Sequence, residues 1–470
     1  MKPLRWLTTP LVLLTAACLL PACHDDALSF RQSAAVTESA ATSYLNLHII
    51  GTSSATTRAT AAEESAVYDG ILCIFEGSSE TEAQLKSATV IDQLINNPGS
   101  STAVDITQRL TVGTHPYGGK RYVLALLNTS STGFSVSNGT LYHNGTALTG
   151  STISDMENII IDGVGSTAEH VGLFMANTPQ SDGTIMPQLA AAYLFDTPEA
   201  AAIGSRLTIN VERAAARVSV SDETTSLSAI NLNGNSQLHP TIHRMTWTLN
   251  NYQQKSYALR HAPSPYANWA TSVTDTPRSF AAADFSLWPQ LSHSNDELYI
   301  AENTGATVTE IIVETQLKDQ NSMLIHEGFV FHPFSDYAEN VFTDLYTSAE
   351  QYISYLKTGL PPENKVWFGL EGEENADIFK YATVTILDDG RVSFGLHNAN
   401  FSADKQASLQ DLASWLSLHT TGFRNGKIYY SFSITHAVST DDSRNGVVRN
   451  NAYNLRLTDA SISAIGRPAP

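Results

Sequence analysis

The chain has 470 residues, of which 42% are hydrophobic and 16% are charged, and its formal net charge is −19. This length allows two or three domains. The acidic balance argues against binding to nucleic acid or to an anionic membrane by charge, because both ligands carry the same sign as the protein.

The chain begins with the features of a lipoprotein signal peptide. A basic start precedes an apolar run over residues 11–20, which is too short to span a bilayer. Leu20-Pro21-Ala22-Cys23 then forms a lipoprotein box. We therefore predict a signal peptide over residues 1–22 and acylation of Cys23. No later stretch reaches about 18 apolar residues, so we expect contact with the membrane only through the lipid of the precursor.

A β-strand with alternating faces is predicted shortly after the lipoprotein box, over residues 44–50. Leu45, Leu47 and Ile49 lie on one face, opposite the polar side chains that separate them. Such a strand needs a core on one side.

A segment of small residues, 51–57, follows this strand and leads to Arg58-Ala59. A protease can draw out such a segment in extended form. Arg31 is the competing basic site, but it precedes the strand, so cleavage there would release the lipid and leave the strand in place. We predict cleavage between Arg58 and Ala59, which makes residues 23–58 a propeptide carrying a removable first strand.

The rest of the chain reads as all-β with few helices. Short β-rich runs alternate with polar turns, a pattern typical of antiparallel β-sandwiches. Two helices are predicted, at 347–357 after a capping box and around 409–416, and we expect them to decorate the sheets. An Asp-Gly turn at 388–391 predicts a hairpin. The strand-like runs lie at 122–127, 207–211, 217–220, 308–317, 382–387 and 429–435.

A short segment at 212–216 separates two strand-like runs and marks the predicted domain boundary. It divides the mature chain into an N-terminal sandwich domain, 59–213, and a C-terminal sandwich domain, 214–470. Both are long enough to bury a core of their own.

The cysteines provide no disulfide within the mature chain. Cys18 leaves with the signal peptide and Cys23 is acylated, so Cys73 is left alone. Cys73 lies in the apolar run 71–75, which predicts a buried structural thiol.

No catalytic or metal-binding motif stands out, and we predict neither an enzyme nor a metal site. Pro240 argues against a helix that would place His239 and His243 on one face. The loop that starts at Asp441 lacks the glutamate of a calcium loop at its twelfth position. The acidic segment 371–377 is typical of a solvated loop. A glycosidase needs two carboxylates at no fixed local spacing, so that activity stays open.

Four stretches, in this order, resemble the fimbrillins of type V pili from Bacteroidetes-type bacteria, in particular the short-fimbria branch. Each stretch is modest alone, and together they span nearly the whole chain. They are the lipoprotein box with strand 44–50 and Arg58; 67–75 with 120–128; 211–220; and 430–436 with 446–453 and 465–468.

The resemblance implies two tandem transthyretin-like β-sandwich domains in a pilus subunit of the outer membrane and cell surface. It implies that an arginine-specific protease removes the first strand and its lipid, and that a strand from another pilus subunit fills the groove. No cofactor is implied. A surface receptor on a host or bacterial cell is a further partner if the subunit is adhesive.

Three functions remain open at this point. Stalk subunits of the family carry a further donor segment, and nothing long enough follows Ile465, so we expect a tip or accessory subunit, with an anchor subunit as an alternative. A non-polymerising lipoprotein that binds a ligand or glycan is the second hypothesis, and a secreted hydrolase is the third. For the second, stacking platforms would come from Trp247, Trp288, Trp367 and Trp415.

Overall fold

The computed structural model describes most of the chain between residues 42 and 457. In these parts no helix is long and apolar enough to cross a membrane. The described residues are 42–51, 64, 66–91, 103–110, 119–166, 171–180, 182–222, 231–232, 241–261, 269–275, 292–293, 297–318, 323–331, 344–360, 362–387, 391–425, 427–438 and 442–457.

In the first half of the chain, the described residues contain strands β1–β14, two short helices and a 3₁₀ turn at Ala191–Tyr193. The helices are α1, Ile153–Glu157, and α2, Pro198–Ile203. The strands are β1 Ser43–Gly51, β2 Gly70–Gly77, β3 Gln84–Val90, β4 Ala103–Leu110, β5 Lys120–Leu127, β6 Phe134–Ser137, β7 Thr140–His143, β8 Thr146–Ala147, β9 Ile160–Asp162, β10 Gly165–Ser166, β11 Gly172–Leu173, β12 Met175–Asn177, β13 Leu194–Phe195 and β14 Arg206–Arg213.

The described part of the second half contains strands β15–β30 and four helices. The helices are α3 Ala349–Gly359, α4 Pro362–Trp367, α5 Asn375–Ile378 and α6 Ala403–Leu418. The strands are β15 Ala215–Asp222, β16 Asn231–Leu232, β17 Thr241–Asn250, β18 Lys255–Tyr257, β19 Ser292–His293, β20 Glu297–Ala301, β21 Glu310–Lys318, β22 Glu327–Phe331, β23 Asp344–Leu345, β24 Thr383–Ile386, β25 Val392–Gly395, β26 Thr420–Arg424, β27 Lys427–Ser433, β28 Thr435–Ala437, β29 Ser443–Asn445 and β30 Ala452–Leu457.

The predicted all-β class is confirmed, and each strand-like run of the sequence coincides with an observed strand. The predicted hairpin is present as the antiparallel pair of β24 and β25. Both predicted helices are present as well: α3 overlaps 347–357 and α6 includes 409–416. The N-cap of α3 is Ser348, however, and not Thr347 of the predicted capping box.

One large sheet organises the first half. Its strands lie in the order β3-β2-β5-β12-β14-β1-β4, with β13 beside the start of β1. Strands β2 and β5 are buried on both faces because both read as continuous apolar runs. Leu72 and Ile74 enter one core, whereas Cys73 and Phe75 enter a second core on the opposite face. Cys73 is fully buried and free, as predicted.

A third core lies between two smaller sheets of the C-terminal half. One sheet has the order β20-β15-β30 and the other the order β19-β17-β21-β27. Val218 on β15 and Val313 on β21 meet in this core around Trp247, which is fully buried. The first strand of this half, β15, pairs in parallel with the last described strand, β30.

The helices of the C-terminal half do more than decorate the sheets, which corrects our expectation. Tyr352 and Leu356 of α3, Ile378 of α5 and Leu412 of α6 share a core of their own with the β24–β25 hairpin. Phe329 of β22 lies in the same core and joins it to the strands. Apolar residues at helical spacing predicted α6 correctly, but the spacing did not show which elements the helix packs against.

Candidate functional site: the first strand and its groove

The first strand lies inside the large sheet and is hydrogen-bonded along both edges. It runs antiparallel to β4, with Ser43 opposite Leu110 and Ile50 opposite Ala103. On the other edge it runs parallel to β14, with Asn46 beside Arg206 and Gly51 beside Val211. The start of β1 also pairs with β13. Strand β1 therefore fills the space between β4 and β14.

One face of β1 is built into the core of the sheet. Leu45 and Leu47 are 0% exposed and Ile49 is 2% exposed. They share a core with side chains from both flanking strands and from the sheet centre, namely Ile106, Leu110, Leu207, Ile209, Val123 and Ala125. Removing β1 would leave an apolar trough lined by these residues, with unpaired backbone groups along both edges.

The opposite face of β1 is partly covered by α2. Asn46 is 4% exposed, and its Nδ2 donates a hydrogen bond to the backbone carbonyl of Gly204 at 3.3 Å. Gly204 ends α2 and packs so closely on Phe195 that a Cβ at this position would clash with the ring. The carbonyl that accepts from Asn46 is thus held in place by the end of a helix.

His48 lies two residues further along the same face, where the cover ends. Its Nδ1 is 2.5 Å from Oδ1 of Asp105 on β4. The same carboxylate oxygen accepts from Nη1 of Arg206 on β14 at 3.4 Å. The side chains of Asp105 and Arg206 are more than half exposed. Position 48 therefore faces a carboxylate that connects the two walls of the groove.

The cleavage and lipidation residues of our prediction, Cys23, Arg58 and Ala59, lie outside the described residues. Their roles stay predictions. The structure describes the chain up to Gly51 and again at Glu64.

Glu64 is a buried acidic residue beside the predicted cleavage segment that the sequence reasoning missed. Its side chain is 1% exposed. The carboxylate accepts hydrogen bonds from Nη1 of Arg213 and from the hydroxyl of Tyr299, both at 2.9 Å. It also lies 3.4 Å from Nη1 of Arg217. Burial raises the pKa of its carboxyl, although the hydroxyl and the two guanidinium groups oppose the shift. Because Glu64 follows Arg58 in the chain, cleavage after Arg58 would leave the contacts of Glu64 in the mature protein.

The boundary proposed at 213/214 lies within a dense polar network. Glu212 forms a two-point ion pair with Arg260, with nitrogen–oxygen distances of 2.9 and 2.7 Å. Nε of Arg213 donates to the Asn450 side chain at 3.1 Å. Strand β14 belongs to the first sheet and β15 to the second, so we keep this boundary as a proposal.

The remaining polar candidates of the sequence do not converge on one site. Among the described residues there is no cluster of three histidine, cysteine or acidic side chains placed to hold a metal. In the acidic segment, Glu373 pairs with Lys405 on α6. The stretch after Asp441 includes β29, which pairs with β28. His239 lies outside the described residues.

The tryptophans of the sequence separate into core and surface residues. Trp247 is core, and Trp288 lies outside the described residues. Trp367 at the end of α4 is 64% exposed, and its ring lies 6.4 Å from that of Trp415, edge to face. His419 stacks on Trp415 at 4.2 Å. Trp367 is therefore an exposed aromatic ring that lies beside the partly buried Trp415.

Comparison with known proteins gives structural neighbours but no sequence match. No family model matches the chain, and no curated protein sequence matches it. A "putative cell adhesion protein" from Parabacteroides distasonis is 15% identical, covers 58% of this chain and 75% of its own, and has a TM-score of 0.34. A fimbrial assembly protein from the same organism is 12% identical, with 59% and 84% covered and a TM-score of 0.33. A structure of "putative polysaccharide binding proteins" from Bacteroides thetaiotaomicron is 9% identical, with 77% and 100% covered and a TM-score of 0.26.

These neighbours include the kind of protein that the sequence resemblance predicts, and none of the three is described as an enzyme. TM-scores at this level do not define a shared fold. The function proposed below therefore depends on the geometry of β1 and on the sequence that surrounds it.

Proposed function

We propose that this protein is a subunit of a type V pilus at the cell surface. It is exported as a lipoprotein acylated on Cys23, cleaved after Arg58, and completed by a strand from another pilus subunit. The observation that carries the proposal is the position of β1. It is the first described strand, it is paired on both edges, and it supplies three fully buried side chains.

The physical argument concerns what holds β1 before and after a cut. Burying an aliphatic side chain contributes roughly 1.5–3 kcal/mol, so the three together favour the filled groove strongly. In the uncut chain the strand is tethered and cannot diffuse away, whereas after cleavage it is a separate peptide that can leave and be replaced. Main-chain hydrogen bonds and alternate side chains are what an incoming strand restores.

Sequence context separates this strand from an ordinary core strand. Between Gly51 and Arg58 the residues are small, and the lipoprotein box precedes the strand. A cut after Arg58 would release the lipid and β1 together. Glu64 would keep the new start of the chain attached to both halves, through Arg213 on one side and Tyr299 on the other.

The first experiment is the N-terminal residue and the mass of the protein taken from the cell surface. A start at Ala59 without lipid supports the proposal, and the variant Arg58→Ala should then accumulate with its lipid and fail to enter fibres. Arg31→Ala is the matched control and should mature normally. An acylated start at Cys23 with residues 44–50 retained, in protein that is absent from fibres, would refute the proposal. The same start in fibre-bound protein would make the protein an anchor subunit instead.

A second candidate function is ligand or glycan binding by a surface lipoprotein, for which the observation is the exposed Trp367 beside Trp415. Aromatic rings with one apolar face exposed are suited to stacking. Trp367→Ala should abolish binding on a glycan panel, whereas Leu418→Ala, a change at another exposed apolar residue, should not. Absence of binding by the unmodified protein would remove this candidate.

A further inference from the structure

The apolar side of the β1 groove does not distinguish the two directions in which a strand could enter. Leu45, Leu47 and Ile49 are spaced symmetrically about Leu47, and all three are aliphatic. A strand of opposite direction would present the same three apolar side chains to the same trough, since side chains alternate with a period of two in either direction. The direction in which a strand enters must therefore be set by residues outside the apolar side of the groove.

The polar side of the groove is not symmetric. Position 46 is closed over by the end of α2, and its only described hydrogen-bond acceptor is the carbonyl of Gly204. A side chain buried there must be short and must donate a hydrogen bond, because a buried polar group without a partner is costly. Asn46 satisfies both conditions at 4% exposure.

Position 48 has the opposite character. It is partly open to solvent and faces the carboxylate of Asp105, which Arg206 also contacts. An imidazole, guanidinium or ammonium group can donate to this carboxylate, whereas a carboxylate would be repelled. A strand entering in reverse would place its larger basic ring under α2 at the nearly closed position 46. It would leave Asp105 facing an uncharged amide, which donates a weaker hydrogen bond to a carboxylate than a charged group does.

We infer that these two polar positions determine the direction and register of the strand that the groove accepts. The partner is an extended segment of another subunit that lies parallel to β14. Its residue order is aliphatic, short hydrogen-bond donor, aliphatic, basic, aliphatic. Gly204 selects the second residue and Asp105 selects the fourth. This inference rests on the proposed function, because it requires that β1 leaves the groove.

The test uses the full chain with residues 53–57 replaced by the recognition sequence of a specific protease. After the cut, exchange of β1 is followed with fluorescent nine-residue peptides. One peptide has the sequence of Ser43–Gly51. A second carries Asn46→His, which keeps the apolar pattern and places a ring under α2 in either direction of entry. A third carries His48→Glu.

We expect the native peptide to bind at least about tenfold more tightly than the Asn46→His peptide, a difference of 1.4 kcal/mol. The glutamate peptide should bind more weakly than the native one, by a ratio that falls at high salt. In the variant Asp105→Asn the difference between the native and glutamate peptides should shrink, whereas the difference between the native and Asn46→His peptides should stay. The variant Asp411→Asn, a change on the exposed face of α6, should leave them unchanged.

The outcomes separate this inference from the proposed function. If no peptide enters the cut protein, β1 is not exchangeable and the proposed function fails. If the native and Asn46→His peptides enter equally well, the groove opens but does not select the side chain under α2, and the inference is overturned. If Asp105→Asn leaves the discrimination between the native and glutamate peptides intact, the role assigned to Asp105 is overturned.

Discussion

The substitution Leu47→Ala tests whether β1 is an integral part of the first core. Leu47 is 0% exposed and lies in the middle of β1, opposite Ile106 on β4 and beside Leu207 on β14. The change removes three carbons, each worth about 0.8 kcal/mol on burial. The cavity left between two paired strands cannot collapse fully, which brings the expected loss to about 2–5 kcal/mol.

The assay has to report on the right half of the molecule. All tryptophans other than Trp6 lie after residue 213, so tryptophan fluorescence follows the C-terminal half. Hydrogen exchange measured by mass spectrometry on β4 and β14 follows the first sheet. A loss of about 2–5 kcal/mol corresponds to exchange that is roughly thirty to a few thousand times faster wherever exchange needs opening of that sheet.

The control is Leu418→Ala, which removes the same three carbons from a side chain that is 73% exposed. It should change stability by no more than about 0.5 kcal/mol. Unfolding of the C-terminal half, followed by fluorescence in urea, should show the same midpoint in the Leu47 variant as in the parent. A loss below about 1 kcal/mol at β4 and β14 would refute the structural role given to β1.

Two further predictions concern residues away from the groove. Burial raises the pKa of the Cys73 thiol, and only the thiolate reacts with an alkylating reagent. At neutral pH such a reagent should therefore label Cys73 only after denaturation. Rapid labelling of the native protein would contradict the position of Cys73 in the core. Arg449 is 1% exposed and forms a two-point ion pair with Glu302, so Arg449→Met should cost about 3–5 kcal/mol because it leaves a buried carboxylate unpaired. Lys357→Met, at an exposed position, should cost no more than about 0.5 kcal/mol, and equal effects of the two changes in urea unfolding would show that the pair does not stabilise the fold.

The strands were predictable because their signal is local. Alternation of Leu45, Leu47 and Ile49 with polar residues defines a strand with one buried face, whatever its partners are. The helical spacing of apolar residues likewise predicted α6, and the polar start of 347–357 predicted α3, although its N-cap is Ser348 and not Thr347. The run 71–75 predicted a buried Cys73 in the same way.

Other features depended on contacts between residues far apart in the chain. By the alternating pattern alone, Asn46 and His48 are equivalent, because both are polar residues on the face of β1 opposite the core. Only the fold places Asn46 under α2, beside a carbonyl 158 residues away, and His48 against Asp105. No sequence signal marked Gly204 or Asp105 as part of a site, because each becomes relevant only through a strand that pairs elsewhere.

The tryptophans and Glu64 also show which properties the sequence predicts and which depend on tertiary packing. Composition offered four equivalent aromatic platforms, and tertiary packing buried Trp247 while leaving Trp367 exposed beside Trp415. Glu64 reads as an ordinary surface acid, but it is buried between Arg213 and Tyr299. The sequence by itself determined several of the strands, which of their faces are apolar, and where a lipid and a cut are expected. The tertiary structure decided which strands flank β1 and what its polar face meets, because pairing and burial are set by the whole chain.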